Sequence, residues 1–256
     1  MQIYQEIARN GLILRGMLHR PTVEGKVPVV VMFHDFCGNR IEFNRFFWKI
    51  ARYLEQNGVA SIRFDFAGSG ESDGNFSDMC LRSECADGKA ILDYVKTLDF
   101  VDTGRIALFG FGLGGLIASI LAPEVQDDIR GICLCSPAFG AKHEVTVKKE
   151  ITHFNIETMD RDGYVDILGC RVGPGLPEDI RKLDMESNFR MFQKDALIVQ
   201  GLADPTAYHG YSEYYAGFYP KGRLYTIEGA DHYYSSLKQR QELYQVLASF
   251  FQEIFT

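Results

Sequence analysis

Short, unbroken apolar runs alternate along this chain with segments whose apolar residues recur every three or four positions. Val27-Pro-Val-Val-Val-Met-Phe33 is apolar throughout, which suits a strand covered on both faces of a parallel sheet. Residues 59–66, 106–111, 129–135, 196–200 and 223–227 also read as strands. Between them, residues 43–57 place Phe46, Phe47, Ile50, Ala51 and Leu54 on one helical face, with Gly58 as the stop. Further helices are expected over 80–97, 113–121 and 235–255, and around 212–218. Two extended runs, 2–9 and 12–20, meet at Asn10-Gly11, a dipeptide suited to the positive φ angles of a two-residue hairpin.

Strands alternating with helices predict an α/β fold, a mostly parallel sheet with helices on both faces. Residues 139–192 break the rhythm. They are charge-rich, suggest a hairpin around Asp162-Gly163, and carry Gly173-Pro-Gly-Leu-Pro177. Regular alternation resumes immediately afterwards, so the expectation is a single domain over 1–256 with an inserted lid at 139–192. In such sheets ligands bind at the carboxyl ends of the strands. That directs attention to the loops 34–40, 67–76, 111–115, 136–140, 201–208 and 229–234.

Composition narrows the function classes. With 256 residues, 46% hydrophobic and 24% charged, the chain can bury a large core. Its net charge of −7 does not favour nucleic acid or an anionic membrane surface. No apolar run reaches the roughly 18–20 residues of a membrane helix, and the first residues lack the basic and apolar regions of a signal peptide. A cytoplasmic location is expected on that basis. Cys37, Cys80, Cys85, Cys133, Cys135 and Cys170 then read as reduced thiols. Cys133-x-Cys135 lacks zinc-knuckle spacing, and no metal or cofactor is expected.

Candidate chemistry lies in three loops. Arg105-Ile-Ala-Leu-Phe-Gly-Phe-Gly-Leu-Gly-Gly115 reads as a strand, a glycine turn and a small-residue helix. That is the setting of the nucleophile elbow Gly-x-Ser-x-Gly, but glycine, Gly112, stands at its centre between Gly110 and Gly114. Glycine has no atom that can attack a carbonyl. Asp204 follows one buried strand and His232 the next, in the order elbow, acid, histidine that acyl transfer requires. Singly, Asp204 reads as a loop cap and His232 as a polar helix opener; together they suit a carboxylate that orients an imidazole.

With these motifs the chain resembles the α/β-hydrolase superfamily, and within it the small bacterial cinnamoyl and feruloyl esterases. His34-Asp-Phe-Cys-Gly-Asn39 is similar to that group's His-Gly-Phe-x-Gly-x loop, and Arg63-Phe-Asp-Phe-Ala-Gly-Ser-Gly-Glu-Ser-Asp-Gly74 to its Arg-x-Asp-x-x-Gly-x-Gly-x-Ser-Asp-Gly segment. Ser136-Pro-Ala138 and Glu228-Gly-Ala-Asp-His232 also fit, as does a lid after the sixth strand. The resemblance implies an oxyanion hole formed by the backbone N–H groups of Phe36 and Leu113. It implies a pocket for an aromatic or acyl group, shaped by the lid. Phe154, Tyr164, Phe189 and Phe192 either line that pocket or, the preferred reading, form the lid's own core.

Three positions depart from the group: Gly112, Asp35 in place of a glycine, and Gln200 where relatives often carry histidine. Asp35 could point inward, disfavouring a negative oxygen in the hole, or outward to solvent. Cys37 is the nearest thiol, and packing suits it better than attack. Three readings stay open. One is a carboxylesterase scaffold that lost its nucleophile and is nearly inert, for which restoring serine at 112 alone should create His232-dependent ester hydrolysis. Another is a non-catalytic binding or sensing module. The last is a slow hydrolase using Asp35, Asp204 or His232 as a general base. The expected partner is a small-molecule ester or an aromatic or acyl ligand, with homodimerisation left open.

Overall fold

The strand segments lie side by side in one eight-stranded sheet. The structure, a computed structural model, describes residues 1–158 and 163–256. Strands β1 (Gln2–Arg9) and β2 (Leu12–His19) form the expected hairpin. Its turn residues Asn10 and Gly11 have φ of 50° and 81°, the positive pair a two-residue turn demands. After β3 (Val27–Phe33) come β4 (Ala60–Phe64), β5 (Val101–Phe111), β6 (Gly131–Cys135), β11 (Asp195–Gly201) and β12 (Gly222–Ile227). The spatial order is β1-β2-β4-β3-β5-β6-β11-β12. β2 joins β4 antiparallel, and every pairing from β4 to β12 is parallel.

Alternation of side chains along the strands divides the core in two. Val29, Val31, Phe33, Ile106 and Leu108 pack with helices α2 (Leu81–Lys96) and α3 (Leu113–Val125). Val30, Met32, Ala107, Phe109 and Phe111 face the other way, onto α1 (Phe46–Gln56) and the C-terminal helix Leu237–Phe255. That last helix opens with a capping box: Gln239 N–H donates to Ser236 Oγ at 3.2 Å, and Ser236 N–H donates to the Gln239 side chain at 3.4 Å. Ser236→Ala should therefore cost about 1 kcal/mol in chemical denaturation; an unchanged midpoint would show the cap to be idle.

Element ends differ from the sequence pattern where packing overrides it. α1 begins at Phe46, because Asn44 and Arg45 are left-handed, with φ of 51° and 59°. α3 runs on through Pro123 to Val125, since Ala122 and Val125 are buried in the core on that face. β5 starts five residues before the apolar run, where Val101 pairs with Val27.

Between β6 and β11 the chain leaves the sheet. It forms two short hairpins, β7 (Glu150–Ile151) with β8 (Phe154–Asn155) and β9 (Val165–Ile167) with β10 (Cys170–Val172). The helices Gly175–Lys182 and Met185–Met191 follow. The hairpin expected at Asp162-Gly163 falls partly outside the described residues. The one between β9 and β10 turns at Leu168 and Gly169, whose φ values are both positive. Among the described residues, no helix is long and apolar enough to cross a membrane.

Candidate active site

β5 ends at Phe111 and α3 begins at Leu113, so the whole turn is made by Gly112, at φ 53° and ψ −120°. The turn lies at the carboxyl end of the sheet, with Gly112 N–H donating to the Cys135 carbonyl at 3.1 Å. Its first free donor is Leu113 N–H, at the positive end of α3.

That donor meets a carboxylate. Asp35, just past the end of β3, turns inward, and its Oδ1 accepts from Leu113 N–H at 2.6 Å and from its own neighbour Phe36 N–H at 2.7 Å. The two amides expected to stabilise a substrate oxyanion thus converge on one protein oxygen. The other oxygen, Oδ2, lies 3.1 Å from His232 Nε2. A Cβ added to Gly112 would land on the Asp35 carboxylate, overlapping Oδ1 and Cγ. The carboxylate therefore occupies the volume a side chain at 112 would need. For serine at 112 to take up the attacking position, the Asp35 side chain would have to swing away.

Opposite Asp35, the imidazole is held by the expected acid. His232 Nδ1 lies 2.8 Å from Asp204 Oδ2, while Asp204 Oδ1 accepts from Thr206 and Ala207 N–H, each at 2.8 Å. Gln200, itself buried, donates to Asp204 Oδ2 at 3.3 Å and accepts from Ser212. Burial alone would raise the Asp204 carboxyl, but His232 and those N–H groups hold it below the ordinary range. Burial likewise opposes a charge on His232, yet the two carboxylates outweigh it and the imidazole is pushed up to about 10. At neutral pH His232 is an imidazolium between Asp35 and Asp204.

The supporting shell fixes Asp35 from behind. His34, buried and depressed by desolvation, is neutral; its Nε2 accepts from Phe66 N–H at 3.1 Å, so its Nδ1 donates to the Asp35 carbonyl at 2.9 Å. Glu42 accepts from Asp35 N–H at 2.7 Å, and burial, together with the nearby Asp35 charge, raises its carboxyl to about 8. The 67–76 loop is tied on by Asp65, which accepts from Arg40 N–H at 2.6 Å and Glu71 N–H at 3.0 Å and pairs with the Arg40 guanidinium. Glu42, His34 and Asp65 were not singled out in the sequence. His34 and Asp65 lay in recognisable segments but were given no role, and a buried glutamate such as Glu42 leaves no periodic signal.

Asp35, Phe36, Gly112, Leu113 and His232 lie at one wall of a cavity of about 410 Å³. Its other walls are largely apolar and come from the 139–192 segment and the loop after β11: Val145, Ile151, Phe154, Leu176, Ile180 and Tyr208. Of the four aromatic residues expected there, Phe154 lines the cavity, Phe189 and Phe192 are buried in the core, and Tyr164 is partly exposed. Cys37 Sγ lies 3.7 Å from the Ile167 carbonyl and its thiol is raised by burial, which suits packing and not attack. Among the described residues no cluster of His, Cys, Asp and Glu could hold a metal.

Residues 27–162, more than half of the chain, match the model of the serine aminopeptidase S33 family of hydrolases. The chain belongs to this family. Its α/β-hydrolase fold closely follows that of Est1E from Butyrivibrio proteoclasticus with ferulic acid bound, at TM-score 0.89 and 26% identity over 97% of this chain and 98% of that one. The quorum-quenching protein AidA of Acinetobacter baumannii is 31% identical over 121 residues, 46% of this chain and 38% of that protein. The mouse mitochondrial palmitoyl-protein thioesterase ABHD10 is 30% identical over 155 residues, 57% of this chain and 50% of that one. The chain thus matches half or less of the length of these two curated relatives. Within the S33 family, the glycine elbow with an inward aspartate is what needs a chemical account.

Proposed function

We propose that this chain is an α/β-hydrolase-fold protein whose serine-type acyl-transfer centre is closed by its own Asp35, and whose cavity takes a small aromatic or acyl molecule. One observation carries this reading. The Asp35 carboxylate sits where both an attacking hydroxyl and a substrate oxyanion would lie, accepting from Phe36 and Leu113 and facing His232. It imitates the carboxylate product of an ester hydrolase, delivered by the protein itself. An incoming ester carbonyl finds both donors engaged, and without them acyl transfer loses its largest electrostatic contribution. Direct general-base hydrolysis of an ester is disfavoured too, because an imidazolium cannot take a proton from water.

The segment 139–192 then acts as the lid that shapes the cavity, and the similarity to Est1E suggests a phenylpropenoid-sized ligand. Because Asp35 already supplies the negative charge, a neutral ligand is preferred over its free acid. Methyl ferulate at saturating concentration should raise the melting temperature by a few degrees through mass action, while ferulate leaves it nearly unchanged. Rapid, His232-dependent turnover of methyl ferulate by the unmodified protein would overturn the reading.

A further inference from the structure

We propose that Asp35 is itself a nucleophile toward saturated carbon, and that the chain hydrolyses primary alkyl halides bearing an apolar or aryl group. This rests on the closed acyl-transfer centre only for the position of Asp35. Both lone pairs of Oδ1 are committed, one to Phe36 N–H and one to Leu113 N–H. Oδ2 gives one lone pair to His232 Nε2–H and keeps the other. The side chain is 13% exposed, and it lines the apolar cavity. A desolvated carboxylate held rigidly at the end of an apolar pocket is a competent attacking group.

The filled hole selects the electrophile. Attack on an ester would place a new oxyanion on the substrate, with both donors already taken. Displacement at an sp3 carbon creates no such oxyanion. The Oδ2 lone pair forms the C–O bond, and the carbon–bromine pair leaves with bromide. No proton moves in this step.

The product is an alkyl ester on Oδ2 whose carbonyl oxygen is Oδ1, already lodged between the two N–H donors. Loss of the Asp35 charge leaves His232 with Asp204 alone, and the imidazolium releases its proton to solvent. His232 Nε2 then takes a proton from water as the water oxygen bonds to Asp35 Cγ, and the oxyanion forms on Oδ1 within the hole. Collapse breaks the Cγ–Oδ2 bond, and the departing alkoxide takes the proton back from His232. Asp35 keeps the water oxygen, and its carboxyl proton passes to His232, which restores the imidazolium beside the carboxylate. The sum is alkyl bromide plus water giving alcohol plus hydrogen bromide. In this scheme the two amides serve the enzyme's own ester, which gives a closed acyl-transfer hole a use.

The test uses the intact protein in excess over (2-bromoethyl)benzene, in water labelled with heavy oxygen. The expected first-turnover phenylethanol carries ordinary oxygen from Oδ2, and the peptide containing Asp35 gains one heavy oxygen. His232→Gln should accumulate a phenylethyl ester mapped to Asp35 by mass spectrometry. Asp35→Asn should lower alcohol release to below about one per cent. Heavy oxygen in the first-turnover alcohol overturns the proposal, as does the absence of alcohol from the unmodified protein. If His232→Gln does not fold, the isotope result on the unmodified protein decides alone. The ester-hydrolysis variants described below report separately on the closed centre, so one reading can fail while the other stands.

Discussion

Asp35→Gly combined with Gly112→Ser should create ester hydrolysis that neither replacement creates alone. Gly112→Ser by itself forces a Cβ onto the Asp35 carboxylate, at a turn with φ 53°, and should cost about 1–3 kcal/mol of stability without activity. Asp35→Gly by itself frees the Phe36 and Leu113 donors but supplies no attacking oxygen. Together they place a hydroxyl beside His232 and an open pair of donors. Each oxyanion donor is worth on the order of 10²–10³ in rate, so the double variant should exceed either single one by at least about a thousandfold. Hydrolysis of p-nitrophenyl acetate and methyl ferulate reads this out. A folded double variant with no activity, or Gly112→Ser alone matching it, would defeat the argument.

The imidazolium between two carboxylates makes a second large effect. His232 is raised from its ordinary 6.5 to about 10, so its contribution to stability is complete below pH 6.5 and is lost as pH rises through 10. For a residue 6% exposed, that shift corresponds to on the order of 5 kcal/mol. Denaturant midpoints should therefore fall steadily between pH 7 and 10. Glu42 titrates in the same sense: raised from 4.5 to about 8, it loses its contribution as pH rises through 8. Glu42→Gln removes that part and isolates His232. In Asp35→Asn one of the two carboxylates is gone, and the His232 proton, followed by NMR, should titrate at a clearly lower pH. A titration midpoint near 6.5 in the unmodified protein would show that the paired carboxylates do not hold the charge.

Much of this architecture is written locally in the chain. The short, β-branched and aromatic apolar runs at 27–33, 106–111 and 196–200 favour strands buried on two faces, and the Asn10-Gly11 turn announces its hairpin. The neighbourhood of Asp204 and His232 was legible because each follows a strand in the order the chemistry needs. The direction of Asp35 was not. Whether a loop carboxylate faces solvent or protein depends on the Leu113 amide 78 positions away and on His232 197 positions away, and no local pattern encodes either distance. The same limit hid Glu42, a buried carboxyl that accepts from Asp35 N–H seven positions back. It also blurred the ends of α3 and α1, where tertiary contacts overrode a proline and left-handed residues broke a helical run.

The overlap between position 35 and position 112 has a historical consequence. A serine at 112 and an Asp35 carboxylate turned toward Leu113 cannot share the same few cubic ångströms, so a chain carrying both must swing one side chain aside at a cost in stability. Changes at the two positions are therefore coupled, and the cost of each depends on what stands at the other. The least costly order of exchange is the one in which position 112 carries no side chain while the carboxylate is in place.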